Sequence, residues 1–180
     1  MKNIKYILRI SLTLLVITAV MAAALAAVNQ FTAPRIAELQ AEKTQEAIEL
    51  VLPGGGEEVF FTDTTGLVSC VYSSNLGYAV EVNPIGFDNT ITMMVGIDNA
   101  GHILGIQVIS HTETAGLGAV AAADNSAGQA FRDQFIALSG TLAVTKDGGE
   151  VDALTGATIT SRAICAGINA ALECARNCGF

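Results

Sequence analysis

The sequence is marked first by what it lacks. It has no Cys-x-x-Cys pair, so Cys70, Cys165, Cys174 and Cys178 outline neither a zinc nor an iron–sulfur site. It has no Gly-x-Gly-x-x-Gly, which removes the usual dinucleotide fingerprint and predicts no NADH oxidation by the chain alone. The glycines at 54–56 are not followed by Gly-Lys-Ser/Thr, so they form a hinge and not a nucleotide loop. No Ser/His/Asp set sits at a nucleophile elbow, and no catalytic residue or metal site is assigned. Basic residues are scarce, nine against seventeen acidic ones. Such a body offers no basic stripe and argues against binding to nucleic acid.

The first 28 residues reverse this balance. They hold Lys2, Lys5 and Arg9 and no acidic residue. The whole chain is −8 and this part +3, so residues 29–180 carry −11. That charge suits a domain facing water. Residues 10–28 contain no charged side chain. Nineteen residues at about 1.5 Å each nearly match the ~30 Å hydrocarbon core. The flanking cations place the N-terminus (1–9) in the cytoplasm and the body across the membrane. Ala24-Leu25-Ala26 also fits a signal-peptide cleavage pattern, but the apolar run is longer than a usual signal core, which favours a retained single-pass anchor. No cysteine lies near its end to carry a lipid.

Residues 29–56 form a connecting helix and hinge. Thr32 is placed to cap a helix with Pro34 in its first turn, and the helix ends at Pro53 and the glycines. Residues 57–180 form the domain proper. Short β-prone runs at 59–61, 67–72, 78–82, 91–97 and 102–109 alternate with turns, the last pair flanking the hairpin turn 98–101. A helix is predicted over 126–138, a short strand over 142–144 and a turn at 146–149. A final helix from about 160 to 178 carries Ile164, Ile168 and Leu172 on one face, with Gly179 ending it. The fold class is α+β, an antiparallel sheet with flanking helices. In an exported domain the cysteines allow up to two disulfides. Cys174 and Cys178, four apart on a helix, are poorly placed to join each other, and the plainer expectation is small buried apolar side chains.

Two segments carry the chemistry. Asp152-Ala153-Leu154-Thr155-Gly156-Ala157-Thr158 puts a hydroxyl just after a Gly-Ala step, at the start of a helix. A helix start offers unpaired N–H groups to a phosphate, and Gly156 lets a ligand approach the backbone. The alternative is a turn with capping threonines. The second segment, His111-Thr112-Glu113-Thr114-Ala115-Gly116-Leu117-Gly118, is a polar, Gly-rich loop after a strand. His111 is read as a loop residue, with tuning of a bound group or pairing to Glu113 as the alternative. His102 is read as a surface residue.

The first segment resembles the Asp-x-x-(Ser/Thr)-Gly-Ala-(Ser/Thr) motif of the FMN-binding domains that carry covalently attached flavin. The second resembles their Glu-Thr-Pro-Gly-Leu-Gly loop, with Ala115 replacing the proline and losing some rigidity. With the 95–103 hairpin and the Lys146 turn, the resemblance covers most of residues 59–175. In size, single N-terminal span and outward domain it is most similar to the G subunits of Rnf-type complexes.

The resemblance implies that a flavin transferase moves the FMN half of FAD onto Thr158 as a phosphoester. Thr155, Gly156 and Ala157 would line the phosphate end. Glu113, Thr114, Leu117 and Gly118 would contact the flavin, Lys146 would balance the phosphate, and Asp152 would serve transferase recognition. The chain would be an extracytoplasmic electron-transfer subunit of an ion-translocating ferredoxin:NAD oxidoreductase, partnered by other membrane subunits and without independent catalysis. The alternatives are a component like the C subunit of a sodium-pumping NADH:quinone reductase, or a flavin-free anchored scaffold.

Overall fold

The computed structural model describes residues 2–179. The chain divides into two compact units, residues 1–42 and 43–180. Helix α1, Lys2–Val51, runs through the division as one helix of 50 residues. Residues 4–42 are exposed throughout. Among the described residues, α1 is the one helix long and apolar enough to cross a membrane. The expected break at Thr32 is absent. Thr32 Oγ1 donates to the Val28 carbonyl (3.0 Å), bonding back along the helix and not capping a new one. Pro34 lies inside α1. It removes one backbone donor, and the Ala, Leu, Glu and Gln residues that follow favour helix strongly enough to carry it on.

In the second unit, five strands follow in chain order as an antiparallel meander. They are β1 (Glu57–Glu58), β2 (Val68–Ser74), β3 (Gly77–Val82), β4 (Thr92–Asp98) and β5 (Ile103–Ser110). The alternation of side chains gives the sheet two apolar faces. Val71, Val80, Val82, Met93, Val95, Ile97, Ile106 and Val108 point to one, Ala79 and Met94 to the other. The first face packs against helix α3, Thr158–Cys178, through Ile164, Ile168 and Leu172, all at most 2% exposed. Gly167 lets α3 come down on Met93 and Pro84, where a Cβ would be within 2.8 Å of the proline ring. The second face is covered by Ala47, Ile48, Val51 and Leu52, at the end of α1 and just beyond it. There Gly96 accommodates the Val51 carbonyl. Ala47, Ile48, Val51 and Leu52, expected in a connector, are core.

Other differences from the expected elements have local causes. Residues 59–61 are not a strand, although Val59 N donates to the Val71 carbonyl (2.9 Å) and prolongs β1 by one bond. Helix α2, Ser126–Asp133, stops short of 138. Ala137 adopts φ 64, and residues 137 and 138 turn to exchange hydrogen bonds with Ile103. Phe131 and Phe135 still pack edge to face in the core, 5.4 Å between centroids. Residues 142–144 give only a single parallel bridge, Val144 with Val151.

All four cysteines are free thiols. Burial pushes Cys174 up to about 12 and Cys165 up to about 11 from an ordinary 9.0. Well below pH 9 both thiols are protonated in folded and unfolded chains, so their contribution to stability is whole there. It is lost as pH rises through their folded values. We expect neither to react with iodoacetamide at pH 8 in the folded domain, and both to react in urea, as read by peptide mass.

A domain starting at Lys43 should fold, whereas one starting at Gly56 should not. The second loses Ile48, Val51 and Leu52 from the sheet, roughly 5–9 kcal/mol of burial against a typical total of 5–15. Urea unfolding of the two fragments checks this.

Candidate functional site: a cleft at the start of helix α3

The two motifs found in the sequence fold into two similar turns. Ala157 N donates to the Leu154 carbonyl (2.9 Å), with Gly156 at φ 76 in the third position. Leu117 N donates to the Thr114 carbonyl (3.1 Å), with Gly116 at φ 76 in the same position. Only glycine adopts that backbone readily, which accounts for one glycine in each motif. Buried Ser161 stiffens the first turn. Its Oγ accepts from Leu154 N and donates to the Ala157 carbonyl, both at 3.0 Å.

Between these turns lies a cleft of about 280 Å³. Glu113, Thr114, Leu117 and Gly118 form one wall. Gly156, Ala157 and Thr158 form another, at the start of α3, and Lys146 reaches in from a 3-10 turn, Thr145–Asp147. Thr155 and Asp152 do not line it; both lie on the approach to α3, where Asp152 is exposed and Thr155 borders the turn at Gly156. Gln134 fixes the Asp152 backbone, accepting from its N–H at 2.8 Å. Three further lining residues, Phe87, Ile159 and Thr160, were not expected. Phe87 sits in the turn after Asn83-Pro84, where the sequence signals only a turn. Thr160 is two residues beyond Thr158, in the first helical turn, and its hydroxyl donates to Glu113 in the same cleft.

Polar contacts fix the geometry. Lys146 Nζ donates to Thr158 Oγ1 at 3.1 Å. The lysine is held by its neighbours. Asp147 takes two 2.6 Å hydrogen bonds from Arg162 of α3. Arg162 holds the Asp147 carboxyl below its ordinary 3.8, so this bracket persists at neutral pH and opens only as acid protonates Asp147. Asn169 of α3 grips the Leu142 backbone on the same segment (2.8 and 2.9 Å).

Glu113 is 7% exposed, and its carboxylate is saturated from within. Oε1 accepts from Phe87 N (2.8 Å) and Asp88 N (3.3 Å), and Oε2 from Thr160 Oγ1 (2.5 Å). His111 does not pair with it. His111 Nδ1 is buried without a hydrogen-bond partner, in a tight space behind Glu113 and Thr160.

Helix α3 begins without a side-chain cap. Its first N–H groups and dipole therefore face the cleft at Thr158, beside a lysine, which is the donor set an anionic phosphate needs. Gly156 and Gly118 keep side chains out of the opening. A Cβ at Gly156 would come within 2.9 Å of Leu117, and one at Gly118 would strike Glu113 and Thr160. These features suit an anionic group beside Lys146 at the start of α3, with the apolar side chains of Leu117, Phe87 and Ile159 lining the same cleft.

Comparison with known proteins agrees with this geometry. Residues 86–173, which contain nearly all of the domain's second half and the whole cleft, match the FMN-binding domain family, and residues 1–51 match the RnfG N-terminal region. The chain is 35% identical over 189 residues to the G subunit of an ion-translocating oxidoreductase complex from Methanosarcina acetivorans, covering 96% of each chain. It is 33% identical over 196 residues to the G subunit of a Na(+)-translocating ferredoxin:NAD(+) oxidoreductase complex from Acetobacterium woodii, covering 96% of this chain and 93% of that one. The corresponding G subunit of Stutzerimonas stutzeri is 31% identical over 181 residues, covering 91% and 78%. The chain thus belongs to the G-subunit family of ion-translocating oxidoreductase complexes, membrane-anchored proteins with an FMN-binding domain.

Gly118→Ala should destabilise the domain by about 1–3 kcal/mol, because the added methyl displaces Glu113 or Thr160 in a packed wall. Gly105→Ala, where a Cβ meets nothing within 4 Å, should cost far less. Urea midpoints of the two variants test this.

Proposed function

We propose that this chain is the electron-transfer subunit of an Rnf-type ferredoxin:NAD oxidoreductase complex, carrying FMN joined covalently to Thr158. The observation that carries the proposal is the Lys146–Thr158 contact at an uncapped helix start inside a cleft of the FMN-binding domain. It is supported by relatives whose names are those of ferredoxin:NAD oxidoreductase subunits, which favours this reading over a quinone-reductase component or a scaffold.

FMN supplies one- and two-electron transfer when bound; the chain supplies position and electrostatics. Thr158 Oγ1 would provide the ester oxygen, joining the FMN-side phosphorus of FAD with AMP as the leaving group and the hydroxyl proton released. The transferase acts in that step, with Asp152, the exposed first residue of the motif, as its recognition point. Lys146 and the start of α3 then hold the single negative charge of the phosphodiester, the helix dipole contributing a fraction of a kcal/mol to ~2 kcal/mol. Thr155, Gly156 and Ala157 form the turn at the phosphate end. Leu117, Thr114 and Gly118 make the opposite wall.

The cations at Lys2, Lys5 and Arg9 orient α1 with its N-terminus in the cytoplasm, so the domain lies on the other side of the membrane. There a covalent bond prevents loss of a cofactor that could not readily be replaced. The partners are the other membrane subunits of the complex, since the chain has no dinucleotide fingerprint of its own.

Co-expressed with a flavin transferase, the chain should give a fluorescent band on a denaturing gel. Its intact mass should rise by FMN minus water on the peptide containing Thr158. Thr158→Val should abolish both signals while leaving the melting temperature within about 3 °C, equivalent to roughly 1 kcal/mol. A non-fluorescent parent chain contradicts the proposal.

A further inference from the structure

We propose that Thr160 is a positioning residue for the redox site: its hydroxyl fixes the Glu113 carboxylate in the cleft wall and so sets the negative charge that a bound flavin meets. The inference rests on the FMN reading above.

The geometry separates Thr160 from an ordinary helix threonine. In the first turn of a helix, a threonine hydroxyl usually bonds to nearby backbone. This one donates across 47 residues of sequence to Glu113 Oε2 at 2.5 Å, the short distance of a charge-assisted bond. Thr160 is 1% exposed, so the bond is shielded from water. The backbone N–H groups of Phe87 and Asp88 hold the other oxygen from the opposite side. Gly86 and Gly118 close on the carboxylate so tightly that a Cβ at either would collide with it. Among the described residues, no lysine or arginine forms an ion pair with Glu113, and Lys146 is turned to Thr158. Glu113 and Thr160 both line the cleft.

A flavin becomes more negative on reduction, so a fixed carboxylate beside it opposes reduction. Thr160 moderates that opposition by donating to Oε2 and keeping it in the wall. Without the hydroxyl, Oε2 loses this donor and its charge acts on the cleft uncompensated. Reduction then becomes harder.

The test is a spectroelectrochemical titration of the full-length flavinylated chain in detergent. With Thr160→Val, the ratio of reduced to oxidised flavin at fixed ambient potential should fall by about threefold or more. Thr160→Ser should restore it. Glu113→Gln should raise the ratio, and in that background Thr160→Val should change nothing further. If the valine chain does not accumulate, Thr160→Ala, which leaves space instead of a misfit methyl, is compared with Thr160→Ser in its place. An unchanged ratio in Thr160→Val, or an equal change with and without the Glu113 carboxylate, overturns the proposal and leaves Thr160 a packing residue. A parent chain without flavin instead overturns the FMN reading, and is distinguished because the unsubstituted protein shows it.

Discussion

One buried carboxylate organises the cleft. A charged group withdrawn from water must recover its hydrogen bonds within the protein, or the fold loses several kcal/mol. Glu113 recovers them from two places far apart in the chain: the turn at 86–88, 25 and 26 residues before it, and α3, 47 residues after it. These bonds register the β3–β4 connection, the loop after β5 and the first turn of α3 against one another. The glycines at 86 and 118 follow from the same constraint, since each vacates the space a carboxylate oxygen occupies. Glu113, expected to touch a flavin directly, has both oxygens engaged within the wall, so its influence on the cleft is exerted from a fixed place.

Around this tie, α3 serves two roles at different points along its length. Its middle closes the core through Ile164, Ile168 and Leu172. Its start forms one wall of the cleft, and Arg162 and Asn169 hold the segment that delivers Lys146. Packing that stabilises the domain thus fixes the distance between Lys146 and Thr158. The two apolar faces of the sheet are closed independently, one by α3 and the other by Ala47, Ile48, Val51 and Leu52.

Much of this was legible in the sequence because it is local. Alternation in β2 to β5 and the spacing of Ile164, Ile168 and Leu172 follow from strand and helix periods, which need no knowledge of tertiary partners. Gly116 and Gly156 announce their turns because positive φ is written into residue type. What stayed hidden depends on distant partners. Phe87 and Thr160 look like turn and helix residues until Glu113 draws them together. Ala47, Ile48, Val51 and Leu52 sit in a stretch whose polar neighbours suggest a solvated helix, and only the Ala79–Met94 face shows what they cover. Ala137 ends α2 early because two hydrogen bonds to Ile103 compensate a backbone that alanine otherwise avoids.

The meander has a consequence for the order of assembly. Every strand pairs with its neighbour in sequence, so the sheet needs only short loops to close and its contacts form cheaply in entropy. The cleft has no such local origin, because its walls come from segments near 87, 113–118, 146 and 156–160. A chain synthesised from its N-terminal end completes the sheet before the last of these segments is available. Any process that recognises the assembled cleft, and not the bare heptapeptide, therefore acts only on chains whose C-terminal helix has already docked.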